Sequence, residues 1–181
     1  MIFRLLRQNP TNGTIQRLYG AIVAQARLPS FYLRYGVPDT VDGRFDLIVL
    51  HLFLVMQRLR NGQGQLAALV QPLVEAFCRD LDHNLREMGV SDLAVPKRVQ
   101  ASVEALYGRS DAYRAAGDMQ ALAVAVARNV FGKTEPGNSA ALLANYMIQT
   151  MEALNRMPSD ALVRGDLALP DPETIVAAIH A

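Results

Sequence analysis

Residues 42–60 have the sequence DGRFDLIVLHLFLVMQRLR, in which Leu47–Met56 is an unbroken apolar run apart from His51. An apolar run of this length between polar ends is typical of a helix buried inside a protein. It is too short for a membrane span, which needs about 20 apolar residues. Asn61 and the glycines that follow it are signals that end a helix. We therefore predict a core helix over about Asp42–Arg60.

Helical spacing of apolar residues continues on both sides of this core helix. Thr14 suits the N-cap of a first helix, and Pro29 suits the first turn of a short helix that Gly36 ends. Four more helices are predicted over about 66–88, 96–116, 118–131 and 138–157, the first of them kinked or split by Pro72. Because no segment alternates as a strand does, the predicted fold class is all-α: a single compact helical domain of about seven helices.

The length of 181 residues suits one domain, which we divide into three segments. Residues 1–13 are predicted to be a flexible N-terminus, and residues 14–157 the helical domain. Residues 158–181 are rich in Pro and Gly and are predicted to be a loosely attached C-terminal tail with one short helix near Ile175–Ile179.

The charge balance and the single cysteine limit the classes of function. The chain has 18 Lys and Arg against 17 Asp and Glu, so it lacks the strong positive field of a DNA-binding protein, and DNA is not an expected partner. Cys78 has no second cysteine to pair with, which fits a reducing compartment. Residues 1–7 are too short for a signal peptide. We therefore expect a cytoplasmic protein.

Two polar stripes stand out in the apolar core sequence. Arg44, His51 and Arg58 recur every seven residues and so share one side of the core helix. Because an unpaired buried charge is costly, these residues must reach water or meet carboxylates. We predict a structural polar network between this stripe and the next long helix, which carries Asp80, Asn84 and Glu87. A groove for a partner segment, or a catalytic His51, are the alternatives.

A ligand-binding site and a metal-binding site are the chemical alternatives to a structural network. A ligand-binding or metal-binding helical enzyme would use His51 and Asp80, with Asp82, His83 and Glu87 as further candidate ligands. The helical di-iron sites are built on Glu-x-x-His pairs, and no such pair occurs in the chain. The sequence also lacks a phosphate-binding loop, a nucleophile elbow and a paired-cysteine motif. We therefore predict no catalytic residue, no metal site and no cofactor.

Several segments have sequences that helical packing alone does not explain: Gln25–Arg27, Pro29–Tyr32, Gly36–Thr40, Gly43–Asp46 leading into Leu50–His51, Asn84–Val90 and Asp92–Arg98. In order and approximate spacing they resemble the ubiquinol-cytochrome c chaperone family. The resemblance runs from about Tyr19 to Arg109 and more loosely to about Asn155. It implies an all-α chaperone that is not an enzyme, acting in the assembly of cytochrome b into respiratory complex III.

The resemblance also implies partners. Mitochondrial members hold newly made cytochrome b beside a small partner protein at the ribosome, whereas the absence of an Arg- and Ser-rich presequence here suggests a bacterial-type cytoplasmic member. Peripheral contact with the inner face of the cytoplasmic membrane, through residues 1–7 and the Phe31–Tyr32 region, is compatible with that role. The candidate partner-binding residues are Arg27, Phe31, Tyr32, Asp39, Lys97 and Arg98.

Methionines could give a client groove adaptable side chains, and the chain has seven. Met88, Met119, Met147 and Met151 nevertheless occupy core-like helix positions, so ordinary core filling is the favoured interpretation. A chaperone is expected to show an open apolar groove, whereas an enzyme would place His51 and carboxylates around a closed pocket.

Overall fold

The computed structural model describes residues 10–179, and within that range the protein is all-helical with no strand, as predicted. Seven of its ten helical segments are eight residues or longer. In chain order the segments are α1 (Pro10–Ala26), α2 (Pro29–Leu33), α3 (Val41–Arg60), α4 (Gln65–Ala68), α5 (Val70–Glu87), α6 (Val95–Ala115), α7 (Met119–Val130), α8 (Asn138–Arg156), α9 (Ser159–Arg164) and α10 (Pro172–Ile179). None of these helices combines the length and apolar character that crossing a bilayer requires.

The predicted core helix is α3, and it lies at the centre of the fold. It packs against α1, α6, α7 and α8, which surround it, and its residues from Leu47 to Met56 are almost all buried. Its first turn is capped by Thr40, whose hydroxyl oxygen accepts a hydrogen bond from the backbone N–H of Gly43 at 3.1 Å. The surrounding helices therefore cover the apolar run, and Thr40 fixes the point at which α3 begins.

Glycine is required at two points where the chain enters this core. A side chain at Gly43 would collide with the carbonyl oxygen of Pro38, because the turn before α3 folds back on its first turn. Gly36 has the left-handed φ of +68° that its predicted role as a helix terminator demands. Both glycines belong to the motifs that carry the family resemblance.

Two helix boundaries differ from the prediction. The first nine residues of the predicted flexible segment lie outside the described part of the chain, but residues 10–13 are helical. Thr14 is therefore not an N-cap but an interior residue of α1, whose hydroxyl donates to the carbonyl oxygen of Val163 at 2.9 Å. The predicted helix over 66–88 is split at Leu69, and Pro72 lies in the first turn of α5, where its missing N–H costs little.

The segment predicted as a C-terminal tail, residues 158–181, contacts the rest of the domain through its described part. It contains α9 as well as α10, and Leu162 and Ile175 are buried in the core. The guanidinium of Arg17 on α1 donates to the carbonyl oxygen of Arg164. These contacts close the helical domain by joining its last segment to its first helix.

Candidate functional site

His51 is a structural residue at the centre of the fold. Its side chain is fully buried, with Nδ1 2.7 Å from the carbonyl oxygen of Leu47 and Nε2 2.8 Å from the hydroxyl oxygen of Tyr146. Because a carbonyl can only accept, Nδ1 carries the proton and Nε2 accepts from Tyr146. Burial lowers the pKa of His51 to about 4, so the ring is neutral at neutral pH.

The other two members of the α3 stripe have separate partners. Arg58 is buried and donates to the carbonyl oxygens of Leu154 and Met157 and to the hydroxyl of Ser159, at 2.9 to 3.1 Å. It thereby satisfies carbonyls at the end of α8. Arg44 is exposed and pairs with Asp39 at 2.7 Å on the surface. The surface pair contributes little to stability.

The carboxylates of α5 do not meet that stripe, so the predicted network between α3 and α5 is wrong. Within residues 10–179 no ion pair joins these two helices. Asp80 instead accepts a hydrogen bond from the hydroxyl of Tyr19 on α1 at 2.9 Å, and Asn84 donates to the backbone carbonyl of Asp80. Glu87 is exposed to solvent. The error lay in the choice of neighbour: this face of α5 packs on α1.

The proposed metal-ligand set is also dispersed. Asp82 pairs with Arg86 at 2.7 Å, and Asp80 is engaged by Tyr19. Across the described residues no group of three or more His, Cys, Asp or Glu side chains is arranged to hold a metal ion.

The candidate partner-binding residues divide by exposure. Phe31 is fully buried, packed at 5.0 to 5.2 Å between ring centroids against Tyr146 and His51, so it is a core residue and cannot contact a partner in this conformation. Tyr32 is half-buried and donates to the carbonyl oxygen of Ala26. The residues that face solvent are Arg27, Asp39, Lys97 and Arg98.

An open apolar cleft of about 250 Å³ lies where α3, α6, α7 and α8 meet. Its walls come from four helices, so no single segment of sequence outlines it. The apolar lining residues are Phe53, Leu54, Tyr113, Leu122, Met147, Ile148 and Met151, and the polar ones are Gln57, Asn61, Arg114 and Asn155. An apolar floor with a polar rim is suited to taking an apolar side chain from another molecule.

The four methionines that were predicted to fill the core are divided between this cleft and the surface. Met147 is buried and Met151 half-buried, and both line the cleft as well as contacting the core. Met88 and Met119 are 59% and 37% exposed, so the prediction that they fill the core is wrong. Helical spacing identified Met147 and Met151 as inward-facing, but it could not show that their neighbours leave an opening there.

An ion pair between the buried Asp46 and the half-buried Arg109, beside the start of α3, was not predicted. The carboxylate of Asp46 lies 2.6 Å from the guanidinium of Arg109 on α6, which also lies over the ring of Phe45. Burial raises the pKa of Asp46 to about 6, and the opposing charge of Arg109 offsets only part of that shift. The pair borders an open recess of about 440 Å³.

Comparison with known proteins agrees with this fold. The model of the ubiquinol-cytochrome C chaperone family matches residues 33–169. The chain belongs to this family. Every residue that lines the apolar cleft falls inside the matched range. The cleft is therefore formed by the part of the chain that is characteristic of the ubiquinol-cytochrome c chaperone family.

One solved structure and two curated proteins show how similar this chain is to known relatives in sequence and in fold. The crystal structure of the Cbp3 homolog from Brucella abortus is 38% identical, with a TM-score of 0.82 over 91% of this chain and 92% of that one. Ubiquinol-cytochrome c reductase complex assembly factor 1 from Mus musculus is 25% identical, and the Homo sapiens protein 24%. The alignments cover 83% and 84% of this chain and 52% of each relative, so the chain spans about half their length.

Proposed function

We propose that this chain is an assembly chaperone for the cytochrome b subunit of ubiquinol-cytochrome c reductase, acting by protein binding without catalysis. The observation that carries the proposal is the open apolar cleft with Met147 and Met151 in its lining. Family membership supports the assembly role. Cytochrome b as the client follows from the resemblance in the sequence.

The cleft has the properties that holding an apolar client segment requires. Its volume of about 250 Å³ accommodates one or two large apolar side chains rather than a whole cofactor. Methionine side chains adapt to differently shaped partners because they are unbranched and flexible. Gln57, Asn61 and Asn155 at the rim can bond to the client backbone, beside the charged side chain of Arg114. Such a surface binds apolar segments with little demand on their sequence.

The alternative, a helical enzyme using His51 and Asp80, is not supported by the arrangement of these residues. His51 is sealed in the core with both ring nitrogens bonded. Asp80 bonds to Tyr19 and is not among the hydrogen-bond partners of His51. A general base must reach a substrate proton, and His51 has no exposed surface with which to do so.

The location and the further partners belong to the same proposal. We expect a cytoplasmic protein that makes peripheral contact with the inner face of the membrane while its client is inserted. Arg27, Lys97 and Arg98 face solvent and are available for anionic lipid, for ribosomal RNA or for a small partner protein. Their scattered positions favour weak, salt-sensitive contacts.

The test is affinity purification of the tagged chain from its own cells in mild detergent, followed by mass spectrometry. We expect cytochrome b to be enriched over a tag-only control. Met151→Glu should reduce its recovery at least 10-fold, because a carboxylate in the cleft would have to be desolvated against the client. Met119→Glu is the matched control: Met119 is more than one third exposed and does not line the cleft.

Two results would contradict the proposal. Absence of every complex III component from the purified material would remove the assembly role. If Met119→Glu and Met151→Glu reduce the recovery of cytochrome b equally, cytochrome b remains the client but the cleft is not its binding site.

A further inference from the structure

The apolar cleft and the recess beside Asp46 lie along the same seam of the fold. The recess is lined by α3, α6 and the end of α7, and the same three helices contribute to the cleft. On α3, the recess residue Asp46 and the cleft residue Phe53 are seven positions apart. On α7, the recess residue Asn129 and the cleft residue Leu122 have the same separation. Residues seven apart share one face of a helix, so the two openings are about 10 Å apart at a rise of about 1.5 Å per residue.

Two nitrogen donors at this recess lack an acceptor. Nη1 of Arg109 and Nδ2 of Asn129 are buried, and neither has a hydrogen-bond partner within residues 10–179. The hydroxyl of Tyr113, one turn further along α6 and at the cleft, is buried without a partner there as well. Such groups are rare in folded proteins, because they lose their bonds to water and gain none in return. The seam is therefore short of acceptor oxygens.

The charges around the recess favour an uncharged acceptor. Its lining contains two carboxylates and two guanidinium groups, whose charges sum to zero: Asp42, Asp46, Arg109 and Arg128. An anionic ligand would be repelled by the carboxylates, and a cation would bring no acceptor. A peptide carbonyl is uncharged, and its oxygen has two lone pairs with which to accept hydrogen bonds. It is the acceptor that suits the unpaired donors of Arg109 and Asn129.

We infer that the recess binds a backbone carbonyl of the same client segment whose apolar side chain occupies the apolar cleft. This segment is extended, because the carbonyls inside a helix are already bonded to the helix's own N–H groups. An extended chain advances about 3.3 Å per residue, so roughly three residues separate the apolar side chain from the carbonyl. The inference rests on the proposed chaperone function and adds the conformation of the client to it: a segment that has not yet formed a helix.

The free chain should show the effect of an unfilled recess on stability. Because the amide of Asn129 is buried and unpaired, Asn129→Leu should raise the melting temperature of the free chain or leave it unchanged. An asparagine that held the fold together would show the opposite, since its replacement would remove hydrogen bonds. A lower melting temperature would therefore overturn the inference.

The binding test uses the full-length chain and a short fluorescein-labelled peptide of Ser and Thr with a single central Leu. Amide-to-ester replacements, placed one at a time along the peptide, weaken each carbonyl as an acceptor. In fluorescence anisotropy we expect the ester about three residues from the Leu, on one side of it, to weaken binding about 5-fold, the contribution of one hydrogen bond. Equal effects of every ester would overturn the inference. This measurement needs only the wild-type chain.

A double-mutant cycle assigns that carbonyl to the recess. Asn129→Leu removes the amide donor and should weaken binding of the all-amide peptide about 5-fold. In this variant the critical ester should have little further effect, because the hydrogen bond is already lost. Asn84→Leu, the same substitution at an exposed position of α5, is the matched control and should bind as wild type does. Additive effects of the ester and Asn129→Leu would overturn the inference.

Removal of a charge from the recess distinguishes a carbonyl from an anion. Arg128 lines the recess and faces solvent. Arg128→Met should weaken binding less than Asn129→Leu does, because a neutral carbonyl does not depend on the positive charge. A larger loss with Arg128→Met would mean that the recess takes a carboxylate of the ligand, and it would overturn the inference.

Failure of this inference is distinguishable from failure of the proposed function. If Met151→Glu weakens peptide binding at least 10-fold while neither the esters nor Asn129→Leu do so, the cleft remains the client site and water alone fills the recess. No binding of the peptide by the wild-type chain would contradict both. The expected binding pattern in a chain that recovers no cytochrome b from cells would keep the inference and contradict only the proposed client.

Discussion

At the scale of single residues, two buried groups titrate in opposite senses over the same pH range. His51 has a pKa lowered by burial to about 4, against 6.5 for an ordinary histidine, so it contributes stability above pH 6.5 that is lost as the pH falls. Asp46 has a pKa raised by burial to about 6, so its cost to the folded state diminishes as the pH falls. The two effects therefore oppose each other between pH 6.5 and 4.5.

Substitution should separate these two contributions. We expect His51→Gln to gain stability relative to wild type on acidification from pH 6.5 to 4.5, because only the Asp46 effect remains. Asp46→Asn should lose stability relative to wild type over the same range, because only the His51 effect remains. Urea unfolding at several pH values measures both. Parallel pH dependence in all three proteins would show that these groups are not titrating as their surroundings indicate.

Arg58 illustrates a buried charge that stabilises by bonding to backbone. Its guanidinium bonds to two carbonyl oxygens at the end of α8 and to Ser159. Arg58→Met keeps the apolar stem but leaves these acceptors unpaired, and we expect a loss of about 3 kcal/mol in the free energy of unfolding. Arg60→Met, at an exposed position on the same helix, should change it by less than about 0.5 kcal/mol. Equal losses in the two variants would mean that a change in helix propensity, rather than the lost hydrogen bonds of Arg58, lowers the free energy of unfolding.

At the scale of helices, the start of α3 depends on a residue without a side chain. Gly43→Ala would force Cβ into the carbonyl oxygen of Pro38, so the turn before α3 must move. We expect a loss of more than about 2 kcal/mol, although alanine favours a helix over glycine by up to about 1 kcal/mol. Gly20→Ala on α1 has open space around the new methyl group and should gain stability. Thermal unfolding followed by circular dichroism distinguishes the two signs.

The longer helices could be predicted from sequence because they carry local signals. The apolar run of α3, the capping Asp118, whose carboxylate accepts from the N–H of Ala121, and the left-handed Gly36 all act within a few residues. The start of α1 was misplaced because Thr14 has good capping chemistry, whereas its hydroxyl is used by Val163 from far along the chain. A contact between distant segments leaves no trace in local spacing.

At the scale of the whole molecule, the candidate site depends on which helices are neighbours. The sequence placed Met147 and Met151 on the inward side of α8 correctly, but the cleft is formed by side chains from α3, α6 and α7 together with those of α8. The same dependence explains Phe31, which the family motif brought forward as a contact residue and the packing of His51 and Tyr146 makes a core residue. Residue type suggested the chemistry, and only the packing decided the exposure.

The family match covers residues 33–169, yet the fold depends on α1, which precedes that range. Ile15, Leu18 and Ile22 of α1 are buried against the core, and together they contribute roughly 5–9 kcal/mol. That is comparable to the whole stability of a typical domain, about 5–15 kcal/mol. We therefore expect a chain of residues 27–181, which lacks α1 alone, to have no cooperative thermal transition in calorimetry, whereas residues 10–181 should unfold in one sharp step. A sharp transition in the shorter chain would mean that α1 is an accessory to the core rather than part of it.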